Sequence, residues 1–361
     1  MSDPAILPWQ YDLWEHLVAR FRAKRLPHAL LFAGPRGVGK TTFARCFAQT
    51  LFCEAPTDNG IACATCPACR RFLVGSHPDF LWIQPEAKIR TGTKTARDET
   101  AEGGKSSEEN EGAKSEKGAE KGGRHILIDQ IRALSEWISL KPHYGGRKVA
   151  LLTPAEQMNI NAANSLLKTL EAPPGEALLM LAAAHPAQLP ATVRSRCQTV
   201  TFPPIAAASA VPWLVAQGVG NQEIATLLLG LAEGGPLTAL ELAQSGILEY
   251  RLTLFGELEG VIMGRLAPVT VAQSWLTREV AQLIDFQWGW TADMIRLSLA
   301  PHTGLANPDL APRLTALARR LGVRRLYARL DHLSEAMRLV RGPTNPNLQL
   351  LLEDLLIPWR A

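Results

Sequence analysis

The sequence predicts an α/β layer with a mostly parallel sheet, then a small helical domain, then an all-α C-terminal domain. Short apolar runs alternate with helix-spaced segments as far as about residue 204. A glycine-rich turn joins one such run to the helix that follows it. Beyond "TFPP", Leu and Ala recur at helical spacing with few β-branched runs.

The elements follow in order. "HALLFAG" is a short apolar run ending in a turn, hence a buried strand. "KTTFARCFAQTLF" places Phe43, Ala44, Phe47, Ala48 and Leu51 at helical spacing. "DFLWI" reads as another short strand. Residues 87–124 are rich in Lys, Glu, Gly and Ser and almost without large apolar side chains. Such a segment cannot bury enough surface to offset its conformational entropy, so it is expected to be a disordered, tolerated insertion. "HILIDQIRALSEWISL" predicts a strand-like start and Asp129 as N-cap. A helix then carries Ile131, Leu134 and Ile138 on one face. "RKVALL" is the next strand, and "NINAANSLLKTLEAPP" a helix stopped by Pro173 and Pro174. "EALLMLAAA" is a further strand, and two helices flank "AEGGPLTAL". The expected domains are 1–204, with a cysteine module at 53–69 and the insert at 87–124; then 205–246; then the helical 247–361.

Composition narrows the classes. With 361 residues and 47% hydrophobic content, several cores are possible. A net charge of +4 does not by itself argue for nucleic acid. "MSDPAILPWQ" lacks a basic patch followed by an apolar run, so it is not read as a secretory signal. No apolar stretch approaches the roughly 18 to 20 residues that span a bilayer. A cytoplasmic location is expected, where disulfides are disfavoured and clustered cysteines point to metal or redox chemistry.

Gly34 to Thr41 spells G-P-R-G-V-G-K-T, which fits the phosphate-loop pattern, with a strand before it and a helix after. Gly34, Gly37 and Gly39 let backbone N–H groups turn around phosphate oxygens. Lys40 can reach the outer phosphates, Thr41 can offer a hydroxyl to Mg²⁺, and Thr42 follows in the first helical turn. ATP with Mg²⁺ is therefore a possible ligand. Hydrolysis requires more. The second strand of such a site commonly ends in an acid that holds Mg²⁺ and orients water. Here "KVALL" ends in Thr153-Pro154. Glu156 is expected to be solvated, its carboxylate directed elsewhere.

Cys53, Cys63, Cys66 and Cys69 form C-x9-C-x2-C-x2-C. Two successive C-x2-C steps aim thiolates at one point, and four soft ligands suit a closed, structural Zn²⁺ site. Cys46 reads as a packed core residue within the loop's helix.

Together the phosphate loop, the cysteine cluster and "ATVRSRC" resemble the delta-prime subunit family of the bacterial DNA polymerase III clamp loader, within the AAA+ superfamily. "RLPHALLFAGPRGVGKT", "CPACRRFLVGSHPDF", "IDQIR", "KVALLTPAEQMNINAANSLLKTLEAPP" and "LPATVRSRC" carry the resemblance over about residues 7 to 245, apart from the insert. It implies an AAA+ domain, a helical lid and a C-terminal collar. It also implies a hetero-pentamer with tau or gamma and delta subunits that opens a sliding clamp and places it on primed DNA. Membership of the polymerase holoenzyme would follow, without intrinsic polymerase activity. The family's S-R-C arginine, here Arg196, reaches a neighbouring subunit's ATP site, with Arg194 as an alternate contact. Active relatives carry Asp-Glu where Thr153-Pro154 stands, a polar residue where Ala182-Ala183-Ala184 stands, and an Arg where Leu237 stands. These departures imply a subunit that helps another hydrolyse ATP. Two alternatives stay open: an active tau/gamma-type ATPase, and a structural subunit with a vestigial loop. The basic stretch from Arg313 to Leu330 is expected to be a solvated face of the collar.

Overall fold

The structure, a computed structural model, describes residues 6–85, 125–144, 146–300, 304–342 and 346–360. The expected disorder of the 87–124 insert lies outside these residues. The chain divides into two compact units: Met1–Gly34 with Lys40–Phe202, and Pro35–Gly39 with Pro203–Ala361.

The first unit runs α1 (Tyr11–Arg22), β1 (Ala29–Ala33), α2 (Lys40–Phe52), α3 (Pro67–Leu73), β2 (Phe80–Ile83), α4 (Ile128–Ser139), β3 (Val149–Leu152), α5 (Ile160–Glu171), β4 (Leu178–Ala183), α6 (Ala191–Arg194) and β5 (Gln198–Thr201). The strands form one parallel sheet in the order β2-β3-β4-β1-β5. β1, β3 and β4 are buried along their whole length, which is why they read as continuous apolar runs. Their side chains serve two layers. Ala29, Leu31 and Ala33 join Ile131 and Leu134 of α4 and Leu166 of α5 in one core. Phe32 serves the other layer, edge-on to Phe43 of α2 at 5.7 Å and to Phe202 at 5.8 Å. Trp14 of α1 closes this aromatic set against Phe43 at 5.6 Å. Such edge-to-face pairs each add about 0.5–1.5 kcal/mol beyond area burial.

The structure departs from the sequence reading at three places here. β5 is an additional strand; its Gln198, Thr199 and Thr201 are exposed, so no apolar pattern announces it. The stretch 125–127 is not a strand, since Ile126 makes a single bridge to Met158. Asp129 is not the N-cap of α4. Leu127 holds that position, and its N–H donates to Gln130 Oε1 at 2.9 Å. Asp129 lies in the first turn, where a negative charge still favours the helix N-terminus.

The second unit is helical: α7 (Ala207–Ala216), α8 (Gln222–Leu231), α9 (Pro236–Gln244), α10 (Ile247–Ile262), α11 (Pro268–Trp275), α12 (Val280–Leu299), α13 (Ala311–Leu321), α14 (Val323–Arg341) and α15 (Leu348–Leu356). Leu214, Ala225, Leu228 and Ala239 centre one core, while Phe255, Trp275, Trp290 and Leu314 belong to a second. Arg251 of α10 is fully buried. It donates to Asn307 Oδ1 at 2.7 Å and pairs with Asp309. Asn307 in turn donates its N–H and its Nδ2 to Asp293 Oδ2, each at 2.8 Å. Burial pushes the Arg251 pKa down and Asp309 opposes it, the pairing a desolvated charge requires. The basic stretch 313–330 is a solvated face only in part. Arg313 stacks 4.6 Å from the Phe255 ring and pairs with Glu259 at 2.7 Å, and Arg325 caps the Pro358 and Arg360 carbonyls. Arg319, Arg320 and Arg324 are exposed.

Candidate functional site

The end of β1 leads into Gly34, and α2 opens at Lys40. A Cβ on Gly34 would lie 2.2 Å from the Phe202 carbonyl oxygen, so only glycine fits there. Gly37 has φ +75, where other residues are strained, and its carbonyl accepts the Leu237 N–H at 2.9 Å. Leu237 thus meets the loop through its main chain and carries an aliphatic side chain. Lys40 is 8% exposed, and its Nζ donates to Gly34 O at 2.7 Å. Burial lowers its pKa to about 8, and the charge of Glu156 opposes this.

Thr153 stands where a metal-holding acid is expected. It is buried, and its Oγ1 lies 3.1 Å from Thr41 Oγ1. One hydroxyl donates to the other. Glu156 corrects the sequence reading: it is not solvated. Its Oε1 accepts the N–H groups of Ala184 at 2.8 Å and His185 at 3.3 Å. Its Oε2 is buried without a hydrogen-bond partner. The carboxylate pins the end of β4 and acts electrostatically on Lys40. Mg²⁺ wants oxygen ligands that include one or two carboxylates. A neutral threonine pair does not fit that ion.

The Lys40 shift has a pH consequence. Between about pH 8 and the ordinary 10.5, the unfolded chain holds this proton more tightly than the folded chain does. Stability should therefore rise with pH across that window through Lys40. Lys40→Met should flatten the slope of the urea midpoint against pH. An identical slope in both proteins would assign the dependence elsewhere.

Arg196 follows α6 and is 36% exposed. Its Nη2 pairs with Glu171 Oε1, at the C-terminal end of α5, at 2.6 Å, and its Nη1 donates to Thr192 O at 3.0 Å. Both contacts hold the guanidinium at the surface, and Arg194 beside it is exposed. Cys197 is buried, and desolvation raises its thiol to about 11, so it is an inert core group. Cys46 is likewise buried, its thiol raised to about 12 by desolvation.

The four cysteines do converge. The Sγ atoms of Cys53, Cys63, Cys66 and Cys69 lie within 4.8 Å of one another. Backbone N–H groups of Cys63, Cys66 and Cys69 point at the sulfurs of Cys53, Cys63 and Cys66, at 3.2, 3.3 and 3.4 Å. Ala64 adopts a left-handed φ of 59 in the turn between ligands, a conformation that a non-glycine residue holds only under local constraint. Hydrogen bonds from Thr65 and from the Cys66 N–H lower the Cys63 thiol to about 6. Burial pushes the Cys53 and Cys69 thiols the other way, up, so the donors favour thiolate, the form a soft divalent ion needs, at Cys63. The set could hold a metal ion, and four sulfur donors are of the kind that suits Zn²⁺. Below it, Phe52 stacks on His77 at 4.0 Å, and Phe72 meets Phe80 of β2 at 4.7 Å, which ties the module to the sheet.

Comparison with known proteins bears on the whole chain. A family model described as DNA polymerase III, delta subunit matches residues 9–206, and its C-terminal counterpart matches residues 245–361. DNA polymerase III subunit delta' of Pseudomonas aeruginosa is 33% identical over 100% of this chain and 98% of its own. The chain belongs to the delta-prime family of DNA polymerase III subunits. The delta-prime protein of Escherichia coli is 30% identical over 97% of this chain and 94% of its own. The tau subunit of Bacillus subtilis is 26% identical, covering 90% of this chain and 56% of its own. A gamma-subunit-related protein of Thermotoga maritima of known structure aligns over 97% of this chain and 98% of its own, with 16% identity and a TM-score of 0.44. Within this delta-prime chain, the sequence reading overlooked the contacts of Glu156 and Glu171. Glu156 acts on a backbone 28 residues away, and Glu171 ends a helix without any distinguishing pattern.

Proposed function

We propose that this chain serves as the delta-prime subunit of a clamp loader that turns over no ATP itself and presents Arg196 to a neighbouring ATPase subunit. One observation carries the reading. Thr153 occupies the acid's place and is bonded to Thr41, so the phosphate loop lacks the group that would position water. Ala184 and Leu237 are consistent with it. The surface guanidinium of Arg196 has five donors in a fork suited to phosphate oxygens. In this reading the partners are tau or gamma and delta subunits, with the sliding clamp and primed DNA reached through the pentamer. Zn²⁺ sits on the four cysteines. The working units are an AAA+ domain to residue 204, a lid at 205–246 and a collar at 247–361, acting in the cytoplasm. Among the described residues, no helix is long and apolar enough to cross a membrane.

Reconstitution tests the proposal. The isolated chain should show no ATPase above background. Mixed with tau and delta subunits of its own organism, it should co-elute and complete an assembly whose ATPase responds to clamp and primed DNA. Robust turnover by the isolated chain, abolished by Lys40→Ala, would instead establish a tau/gamma-type enzyme.

A further inference from the structure

We infer that the phosphate loop of this chain binds a nucleoside polyphosphate without a divalent cation. Three independent observations lead there. The Thr41 hydroxyl, the loop's own offering to a metal, is 3.1 Å from the Thr153 hydroxyl, and neither group carries charge. The carboxylate that follows β3 most closely, Glu156, is committed to the N–H groups of Ala184 and His185. Its remaining oxygen is buried and accepts no hydrogen bond. The first unit nevertheless keeps its own phosphate-facing groups: Gly34 is held where no Cβ fits, Lys40 is buried at the start of α2, and its Nζ rests on a main-chain carbonyl that a phosphate oxygen can replace.

Charge balance explains the preference. A magnesium ion keeps most of its waters and takes one or two carboxylates in addition to phosphate oxygens. Without the carboxylate, the protein gives the ion no more than a neutral oxygen, so the metal gains little from the protein. The phosphates are met by Lys40 and by the N-terminus of α2, a helix that is 13 residues long. Glu156 remains near enough to stabilise the charged form of Lys40. Its negative charge also competes with phosphate for that lysine, so binding is modest and depends on the lysine being protonated.

The inference concerns this chain's own loop and does not rest on the role given to Arg196, so either can fail alone. The test is equilibrium titration of the full chain with fluorescently labelled ATP, in excess EDTA and in millimolar Mg²⁺. The two dissociation constants should agree within about twofold, and Lys40→Ala should weaken binding at least about tenfold in both buffers. Thr153→Asp restores a carboxylate beside Thr41 and should make binding tighter in Mg²⁺ than in EDTA. Circular dichroism and the melting temperature establish that each variant is folded. Tightening of the unmodified chain by Mg²⁺ of about tenfold or more overturns the inference. So does the absence of saturable binding in both buffers.

Discussion

Arg196→Ala, placed in an otherwise unmodified clamp-loader assembly, should lower ATP turnover at the site it serves by on the order of 10³-fold. The expectation follows from what the side chain has to offer. Guanidinium delivered across an interface meets charge that develops on the transferring phosphoryl group, and an arginine supplied from a neighbour acts mainly on kcat. Arg196→Lys should recover little, because an ammonium cannot reproduce the planar fork. The structural contribution of Arg196 is small by comparison. Its ion pair with Glu171 is substantially exposed, at 36% and 54% for the two side chains, and pairs of this kind contribute about 0–1 kcal/mol. The isolated variant should therefore melt within a few degrees of the parent and still enter the assembly. Single-turnover measurement at the neighbouring site separates lost chemistry from lost assembly. Unchanged turnover in a fully assembled variant would remove Arg196 from the role proposed for it.

The second large effect concerns the cysteine cluster. Elemental analysis of the gently purified chain should find about one Zn²⁺ per molecule, and Cys66→Ser should reduce that content sharply. The four sulfurs converge between α2 and α3, and beside them Ala68 and Phe72 of α3 make a short apolar floor. So small a core cannot hold the 53–69 segment by burial alone. Loss of the metal should cost a few kcal/mol, which lowers the melting temperature by roughly 5–15 °C in a domain of this size. Amide exchange should quicken first around α3 and only later in the sheet. A metal-free chain with an unchanged melting temperature would mean that the thiols are not a metal site.

What could be read from the sequence follows the range of the interactions. The strand and helix that flank Gly34 to Thr41 and the convergence of the four cysteines follow from local spacing, so both were legible. The buried strands were legible because each is apolar throughout. β5 was not, because an edge strand with exposed Gln198, Thr199 and Thr201 has no apolar face to display. Glu156 was misjudged for a different reason. Its partners lie 28 and 29 residues away, brought beside it by the pairing of β3 with β4. The basic stretch 313–330 was half legible. Charge shows in sequence, but Glu259 and the Phe255 ring, which draw Arg313 inward, lie more than fifty residues earlier.

One feature of the sheet has a mechanical side. Arg196 and Cys197 run directly into β5, whose residues Gln198 to Thr201 pair in parallel with Leu30 to Ala33 of β1. The ladder ends where the Phe202 N–H donates to Ala33 O at 2.7 Å, one residue before Gly34. A pull on Arg196 along the strand loads these rungs in shear, so all of them resist together and none unzips first. The surface arginine and Gly34 thus stand at opposite ends of one pair of hydrogen-bonded strands.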